Sequence, residues 1–98
     1  MNKPIKTFEE FLELLPNDGK WYLTEDLNFL RRDDENGIRT CPLCFVAGEA
    51  GSLTAISSGK LLGMPLDLIT LIMRSADCQM GASEKNIRQR MLAKVGLL

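Results

Sequence analysis

The chain has 98 residues, of which 45% are hydrophobic and 26% are charged, and it contains no histidine. This length is enough for one globular domain, which we place at residues 1–98. The lack of histidine removes the Ser-His and Cys-His nucleophile pairs, the histidine metal sites and the commonest general base near neutral pH. We therefore expect a protein that is not an enzyme and uses no cofactor.

The net charge of −1 is unevenly distributed, because residues 1–50 hold ten acids and six bases whereas residues 51–98 hold three acids and six bases. This asymmetry is too weak to predict nucleic-acid binding by itself. The chain has no apolar run of membrane-spanning length and no pattern of a secretion signal at its N-terminus. We expect a cytoplasmic protein that does not contact a membrane and keeps its three cysteines reduced.

The first predicted helix begins after Thr7, which has the capping-box spacing to Glu10. An apolar stripe then follows at helical spacing, and Pro16 ends the helix. The members of the stripe are Phe8, Phe11, Leu12 and Leu15.

A small β-hairpin is predicted at about residues 29–40. The Asn36-Gly37 pair is a strong hairpin signal, and short apolar segments flank it. We assign the two strands to Phe29–Arg32 and Ile38–Thr40. A lone hairpin is marginally stable, so we expect it to pack against helices.

Further helices are predicted in the second half of the chain. One begins at Pro42 and ends at Gly48, a weaker one covers about residues 53–62 and ends at Gly63, and the most apolar one covers residues 65–76. On this last helix Leu66, Leu71 and Met73 are expected to widen the apolar face, and an apolar surplus on its outer side could equally be an interface. Ser83 is the predicted N-cap of the final helix, and Gly96 its C-terminal left-handed residue.

The predicted fold class is mostly α (α+β), with four to five short helices packed around one core together with the hairpin. The predicted core comprises Phe8, Phe11, Leu12, Leu15, Trp21, Leu43, Val46, Leu62, Leu68, Ile69, Ile72, Ile87, Met91 and Leu92.

The segment Cys41-Pro42-Leu43-Cys44 allows three interpretations. Thiolates at C-x-x-C spacing can bind zinc, and a C-x-x-C at a helix start can be a redox pair. Because no second cysteine pair exists, a zinc site within one chain would need Cys41, Cys44, Cys78 and Asp77, and zinc shared between two subunits is the other way to complete it. Cysteine is among the most buried residue types, so we favour buried thiols and no metal.

The predicted partner-binding residues are charged. They lie in the acidic turn, beside it and on the final helix: Arg31, Arg32, Asp33, Asp34, Glu35, Arg88 and Arg90. Arg31 and Arg32, with the nearby aromatic residues, also form a small basic-aromatic group that could stack bases and hold phosphates.

One pattern resembles a family of short phage, prophage and bacterial proteins of unknown function. It consists of GIRTCPLCFVA at 37–47, LLG at 61–63, SAD at 75–77 and IRQRMLAKVGL at 87–97. The family is marked by I-R-x-x-C-P-[LI]-x-x-V and by a terminal R-x-x-L-L-x-x-L-G-L. Its members often have threonine at the position of Cys44, which argues against a metal site there.

The resemblance covers about residues 38–97 and implies no known activity. The genomic setting of that family suggests phage accessory proteins, some of which inhibit host defence, as anti-CRISPR proteins do. We therefore expect a non-catalytic protein, a monomer or homodimer, that binds a host protein or protein complex in the host cytoplasm. The alternative is a small nucleic-acid-binding regulator, with or without zinc held by cysteines.

Overall fold

The computed structural model describes residues 4–25, 29–48, 60–76 and 85–98. In these ranges the chain forms four helices and a three-stranded antiparallel sheet. The elements are α1 (Phe8–Leu12), β1 (Trp21–Leu23), β2 (Leu30–Asp33), β3 (Arg39–Thr40), α2 (Pro42–Ala47), α3 (Leu66–Ala76) and α4 (Lys85–Lys94). No helix in the described ranges is long and apolar enough to cross a membrane.

Helix α1 begins with the predicted capping box. The amide of Glu10 donates to Thr7 Oγ1 at 3.1 Å, and the amide of Thr7 donates to Glu10 Oε1 at 3.0 Å. The helix ends at Leu12, earlier than predicted, because the amides of Leu14 and Leu15 bond only three residues back. This tighter turn still buries Leu15 in the core.

The predicted hairpin is confirmed and is part of a larger sheet with the order β1-β2-β3. Its strands are Leu30–Asp33 and Arg39–Thr40. The first strand begins and ends one residue later than predicted, and the second begins one residue later than predicted and ends where predicted. The third strand, Trp21–Leu23, was not predicted. In the register, Trp21 lies opposite Arg32, and Arg32 lies opposite Thr40.

Helix α2 joins the sheet to the core as the sequence predicts. Pro42 occupies the first turn, where its missing amide hydrogen costs no helical hydrogen bond. Gly48 ends the helix with a φ of 76°, a left-handed conformation that side chains other than glycine rarely adopt. Leu43 is 1% exposed, so α2 is anchored in the core by its first turn.

Helix α3 is the longest helix of the described ranges, and it buries Leu68, Ile69 and Ile72. Leu66 lies in the first turn and is 62% exposed, so it belongs to the apolar surplus on the outer side of the helix and not to the core. Helix α4 packs on α3, buries Met91 and Leu92, and is followed by Gly96 in the predicted left-handed conformation. Ser83 and residues 53–59 of the weaker predicted helix lie outside the described residues.

All the predicted core residues belong to the hydrophobic core. Four of them, Leu12, Val46, Leu62 and Ile87, lie at its half-buried margin. The core also includes Ile5, Leu30 and Met64, which the sequence did not single out because they stand outside the helical stripes.

Candidate functional site

Arg31 and Arg32 are adjacent in β2 and therefore lie on opposite faces of the sheet. Arg32 shares the inner face with Trp21 and Thr40, its partners in the register, both of which are buried. Arg31 lies opposite Tyr22 on the outer face. The basic group that the sequence predicts is thus divided between two surfaces.

The Arg32 guanidinium is enclosed by two aromatic rings and one carboxylate. Its central carbon lies 4.6 Å from the centre of the Phe45 ring and 5.4 Å from that of Trp21. Its two terminal nitrogens donate to the two carboxylate oxygens of Asp18 at 2.9 and 2.7 Å. We refer to Asp18, Trp21, Arg32 and Phe45 as the Arg32 cluster.

The Arg32 cluster fixes the loop between α1 and β1 to the sheet. The Trp21 and Phe45 rings meet edge to face at 5.2 Å, and the Trp21 indole nitrogen donates to the carbonyl of Pro16 at 3.0 Å. The hydrogen bond from Arg32 lowers the pKa of Asp18 from 3.8 to about 2. Because the Arg32 side chain is only 13% exposed, it is not the open surface group that the sequence suggests.

The outer face of the sheet carries Tyr22, Arg31, Asp33 and Arg39. The Tyr22 hydroxyl donates to Asp33 Oδ1 at 2.7 Å, and this hydrogen bond raises the pKa of Tyr22 above 10.0. The Arg31 guanidinium lies 5.8 Å from the centre of the Phe29 ring, and one of its nitrogens donates to the carbonyl of Leu30 at 3.3 Å. Asp33 and Arg31 are thus on the same face, where each contacts other side chains or backbone of this chain.

The hairpin tip, residues 34–38, is fixed by its own hydrogen bonds. The carboxylate of Asp34 accepts from the amides of Asn36 and Ile38, both at 2.8 Å. The amide of Gly37 donates to the carbonyl of Asp34, and the amide of Asp34 donates to the carbonyl of Ile38, both at 3.0 Å. Gly37 has a φ of 77°, so the glycine of the predicted Asn36-Gly37 pair takes the left-handed conformation.

A concavity of about 430 Å³ lies between the hairpin and α2. It brings three of the predicted binding residues, Arg32, Asp33 and Asp34, to one place. Its other described lining residues are Asn36, Ile38, Thr40, Cys44, Phe45 and Gly48. Glu35 is exposed at the hairpin tip and does not line it.

Ile38 is the main residue of this site that sequence reasoning missed. The sequence predicts that it belongs to the second strand, but the strand begins at Arg39 and Ile38 lies at the end of the hairpin tip, where it is 42% exposed. No local signal separates the two assignments, because Asn-Gly marks the turn but the residue at which strand pairing resumes depends on the loop length and turn type.

The two predicted residues of α4 lie elsewhere, since neither of them lines the concavity. Arg90 is ion-paired with Glu9, and its guanidinium lies 4.9 Å from the centre of the Phe8 ring. We refer to Phe8, Glu9 and Arg90 as the Arg90 cluster. Arg88 is half-buried in the same helix.

Cys41 and Cys44 are both buried, Cys41 as the N-cap of α2 and Cys44 in its first turn. This placement agrees with the interpretation as buried thiols. Cys78 and Asp77, the other ligands of the zinc hypothesis, lie outside the described residues. Within the described part of the chain, no group of three or more cysteine, aspartate or glutamate side chains is placed to hold a metal ion.

Comparisons with family models, curated proteins and solved structures give no match. The functional argument therefore depends on the residues and their geometry.

Proposed function

We propose that this chain is a small non-catalytic accessory protein of the phage type that binds a host protein or protein complex. The specific role that we propose for this binding is inhibition of a host defence system, as anti-CRISPR proteins do. The resemblance of residues 38–97 to short phage proteins suggests the biological setting, and the hairpin tip supports the mode of action.

The observation that carries the proposal is the ordered hairpin tip with Ile38 exposed at its end. Asp34 fixes the loop through two backbone amides, so the loop loses little conformational entropy when it binds a partner. Ile38 supplies apolar surface, and the polar residues Glu35 and Asn36 are exposed in the same tip. An apolar centre with a polar rim is the usual arrangement of a protein interface.

The alternative, a nucleic-acid-binding regulator, has weaker support. It depends on Arg31 and Arg32 acting together, whereas the two side chains lie on opposite faces of the sheet. Arg32 is also ion-paired with Asp18 inside its cluster, so a phosphate would have to displace a carboxylate that is already bound through two hydrogen bonds.

The proposal is tested by expressing the chain in a bacterium that has active CRISPR interference against an infecting phage. We expect the wild-type chain to restore plaque formation. The variant Ile38→Asp should lose this effect, because it places a charge at the centre of the proposed interface. Capture of the tagged chain from the same cells, with and without the substitution, should identify a host protein that only the wild-type chain retains.

Leu66→Asp is the matched control, because Leu66 is exposed, apolar and distant from the hairpin in sequence. It should behave as the wild type does. The proposed inhibition is wrong if the wild-type chain leaves plaque formation unchanged. The proposed surface is wrong if the Ile38→Asp variant, folded by circular dichroism, remains fully active and retains the same host protein.

A further inference from the structure

Cys41 and Cys44 occupy the two ends of the first turn of α2. Cys41 is the N-cap, with extended backbone angles of φ −80° and ψ 165°, and Cys44 is the third residue of the helix. The turn between them is closed, because the amide of Phe45 donates to the carbonyl of Cys41 at 2.9 Å. Pro42, the residue between the N-cap and the second helical position, restricts the backbone further. The relative placement of the two cysteines is therefore set by one helical turn.

This placement suits a disulfide between the two side chains. Cα atoms three positions apart in a helical turn are about 5 Å from one another, and disulfides usually span roughly 4.4–6.8 Å between Cα atoms. A short side chain at the N-cap commonly reaches the amide of the second or third helical residue, and the third residue here is Cys44. The bond can therefore form by rotation of the two side chains, without unfolding of α2.

The two thiols differ in their access to solvent. Cys44 lines the concavity of about 430 Å³ between the hairpin and α2, whereas Cys41 is not among its described lining residues. This volume lies within the usual range of small-molecule sites, about 300–1,000 Å³. Cys44 is therefore the thiol that a small reagent meets first, and Cys41 is the second thiol in the same helical turn.

We propose that Cys41 and Cys44 are a reversible dithiol–disulfide pair that exchanges with low-molecular-weight disulfides. The Cys44 thiolate attacks one sulfur of the small disulfide, whose S–S bond breaks and releases one thiol, and a mixed disulfide forms on Cys44. The Cys41 thiolate then attacks the Cys44 sulfur, and the second small thiol leaves. The two cysteines together lose two electrons and two protons, and the small disulfide takes up both as it is reduced to two thiols.

The pair of buried thiols in the structure is the reduced form of this couple. In the cytoplasm that the sequence predicts, disulfides that do form are usually transient, catalytic or redox-sensing, which fits a reversible pair. The proposal does not rest on the proposed function, because it concerns the chemistry of the two thiols and requires no host partner.

The first test treats the folded full chain with bis(2-hydroxyethyl) disulfide, a small uncharged reagent. The chain carries Cys78→Ser, so that Cys41 and Cys44 are its only thiols. Alkylation in acid-quenched samples, followed by mass spectrometry, should show the loss of two hydrogen atoms, no retained reagent and a bond between Cys41 and Cys44. Dithiothreitol should restore both thiols. The wild-type chain should form the same bond.

The second test separates the two steps with single-cysteine variants of the same chain. Cys41→Ser should stop at the mixed disulfide on Cys44, because the thiol that resolves it is missing. Cys44→Ser should react about tenfold more slowly or less, because Cys41 does not line the concavity. In urea both variants should react at similar rates, which assigns the difference to the folded structure. Circular dichroism checks that each variant is folded before treatment.

A folded chain whose two thiols stay unreacted, or that ends with one reagent group on each cysteine, would overturn the proposal. So would a wild-type disulfide that joins Cys78 to Cys41 or Cys44 instead. Equal rates for the two folded single-cysteine variants would overturn the assignment of Cys44 as the attacking thiol. The first test needs neither of these variants, so it decides the proposal even if a serine at one position prevents folding.

Discussion

The Arg32 cluster and the Arg90 cluster are built from the same chemical groups but differ in burial. Each one has an arginine over an aromatic ring and a carboxylate as its ionic partner. The arginine side chain is 13% exposed in the first and 49% exposed in the second. Because water screens an exposed ion pair, and ordering two long side chains costs entropy, the same contacts should stabilise the fold strongly only in the first.

The comparison teaches that a charged residue can look like a binding residue in the sequence and still be part of the fold. Arg32 connects its own strand, β2, to two regions that are distant from it in sequence. One is the segment that holds Asp18 and Trp21, and the other is α2, through Phe45. Arg90 connects two helices at the surface and leaves much of its side chain in water.

The largest expected effect is that of Arg32→Ala. The substitution removes both ring contacts and the ion pair, and it should lower the free energy of unfolding by about 2 kcal/mol. Arg32→Lys should lower the free energy of unfolding by about half as much. Lysine keeps the positive charge but lacks the planar guanidinium that donates two hydrogen bonds to Asp18. Urea denaturation monitored by Trp21 fluorescence measures both. An Arg32→Ala loss no larger than that of Arg90→Ala would contradict the comparison.

Sequence patterns predicted most of the fold because the signals are local. The capping box of Thr7, the start of α2 at Pro42 and its end at Gly48 each depend on residues within one helical turn. The hairpin is predicted for the same reason, since its turn is fixed by Asp34 and the residues just after it.

The candidate site was predicted less well. Adjacent strand residues point to opposite faces, so the strand assignment Phe29–Arg32 already implied that Arg31 and Arg32 could not share one surface. By contrast, nothing local indicates that Asp18 is the ionic partner of Arg32, because the two are 14 residues apart. The three-residue strand Trp21–Leu23 is too short for its alternation to be recognised.

A second prediction concerns the hairpin tip. There the carboxylate of Asp34 accepts hydrogen bonds from backbone amides, whereas in the two clusters the carboxylate is paired with an arginine. Asp34→Ala removes both hydrogen bonds from the loop amides and should cost about 1 kcal/mol of stability. The amides of Asn36 and Ile38 should also exchange faster with deuterium. Glu35→Ala is the control in the same acidic run, because Glu35 is exposed, and it should change neither quantity. Equal effects of the two substitutions would show that the loop is not fixed by Asp34.

The third prediction makes the same substitution in the Arg90 cluster that the first makes in the Arg32 cluster. Arg90→Ala should cost about 0.5 kcal/mol, because its pair with Glu9 is exposed and its ring contact with Phe8 is single. The loss should become smaller at high salt, since exposed charges are screened. Urea denaturation at low and high ionic strength measures this difference. A loss that is as large as that of Arg32→Ala and independent of salt would mean that burial does not distinguish the two clusters.

The smallest expected effect appears only in acid, and it isolates the ionic part of the Arg32 cluster. The folded state lowers the pKa of Asp18 from 3.8 to about 2, chiefly through the hydrogen bond from Arg32. The ionised carboxylate therefore stabilises the fold fully above pH 3.8, and this contribution is lost as the pH falls from 3.8 through about 2. Carboxyl-carbon chemical shifts during an NMR titration should give the low pKa directly.

Arg32→Ala should return the pKa of Asp18 toward 3.8, because it removes the group that chiefly lowers it. Asp18→Asn should remove the corresponding part of the acid-induced loss of stability while it keeps a side chain of the same shape. If the pKa of Asp18 stays low in the Arg32→Ala variant, the backbone amide of Lys20, which donates to the same carboxylate at 3.2 Å, must be the stronger partner. Arg32 would then stabilise the fold chiefly through its contacts with the rings of Trp21 and Phe45.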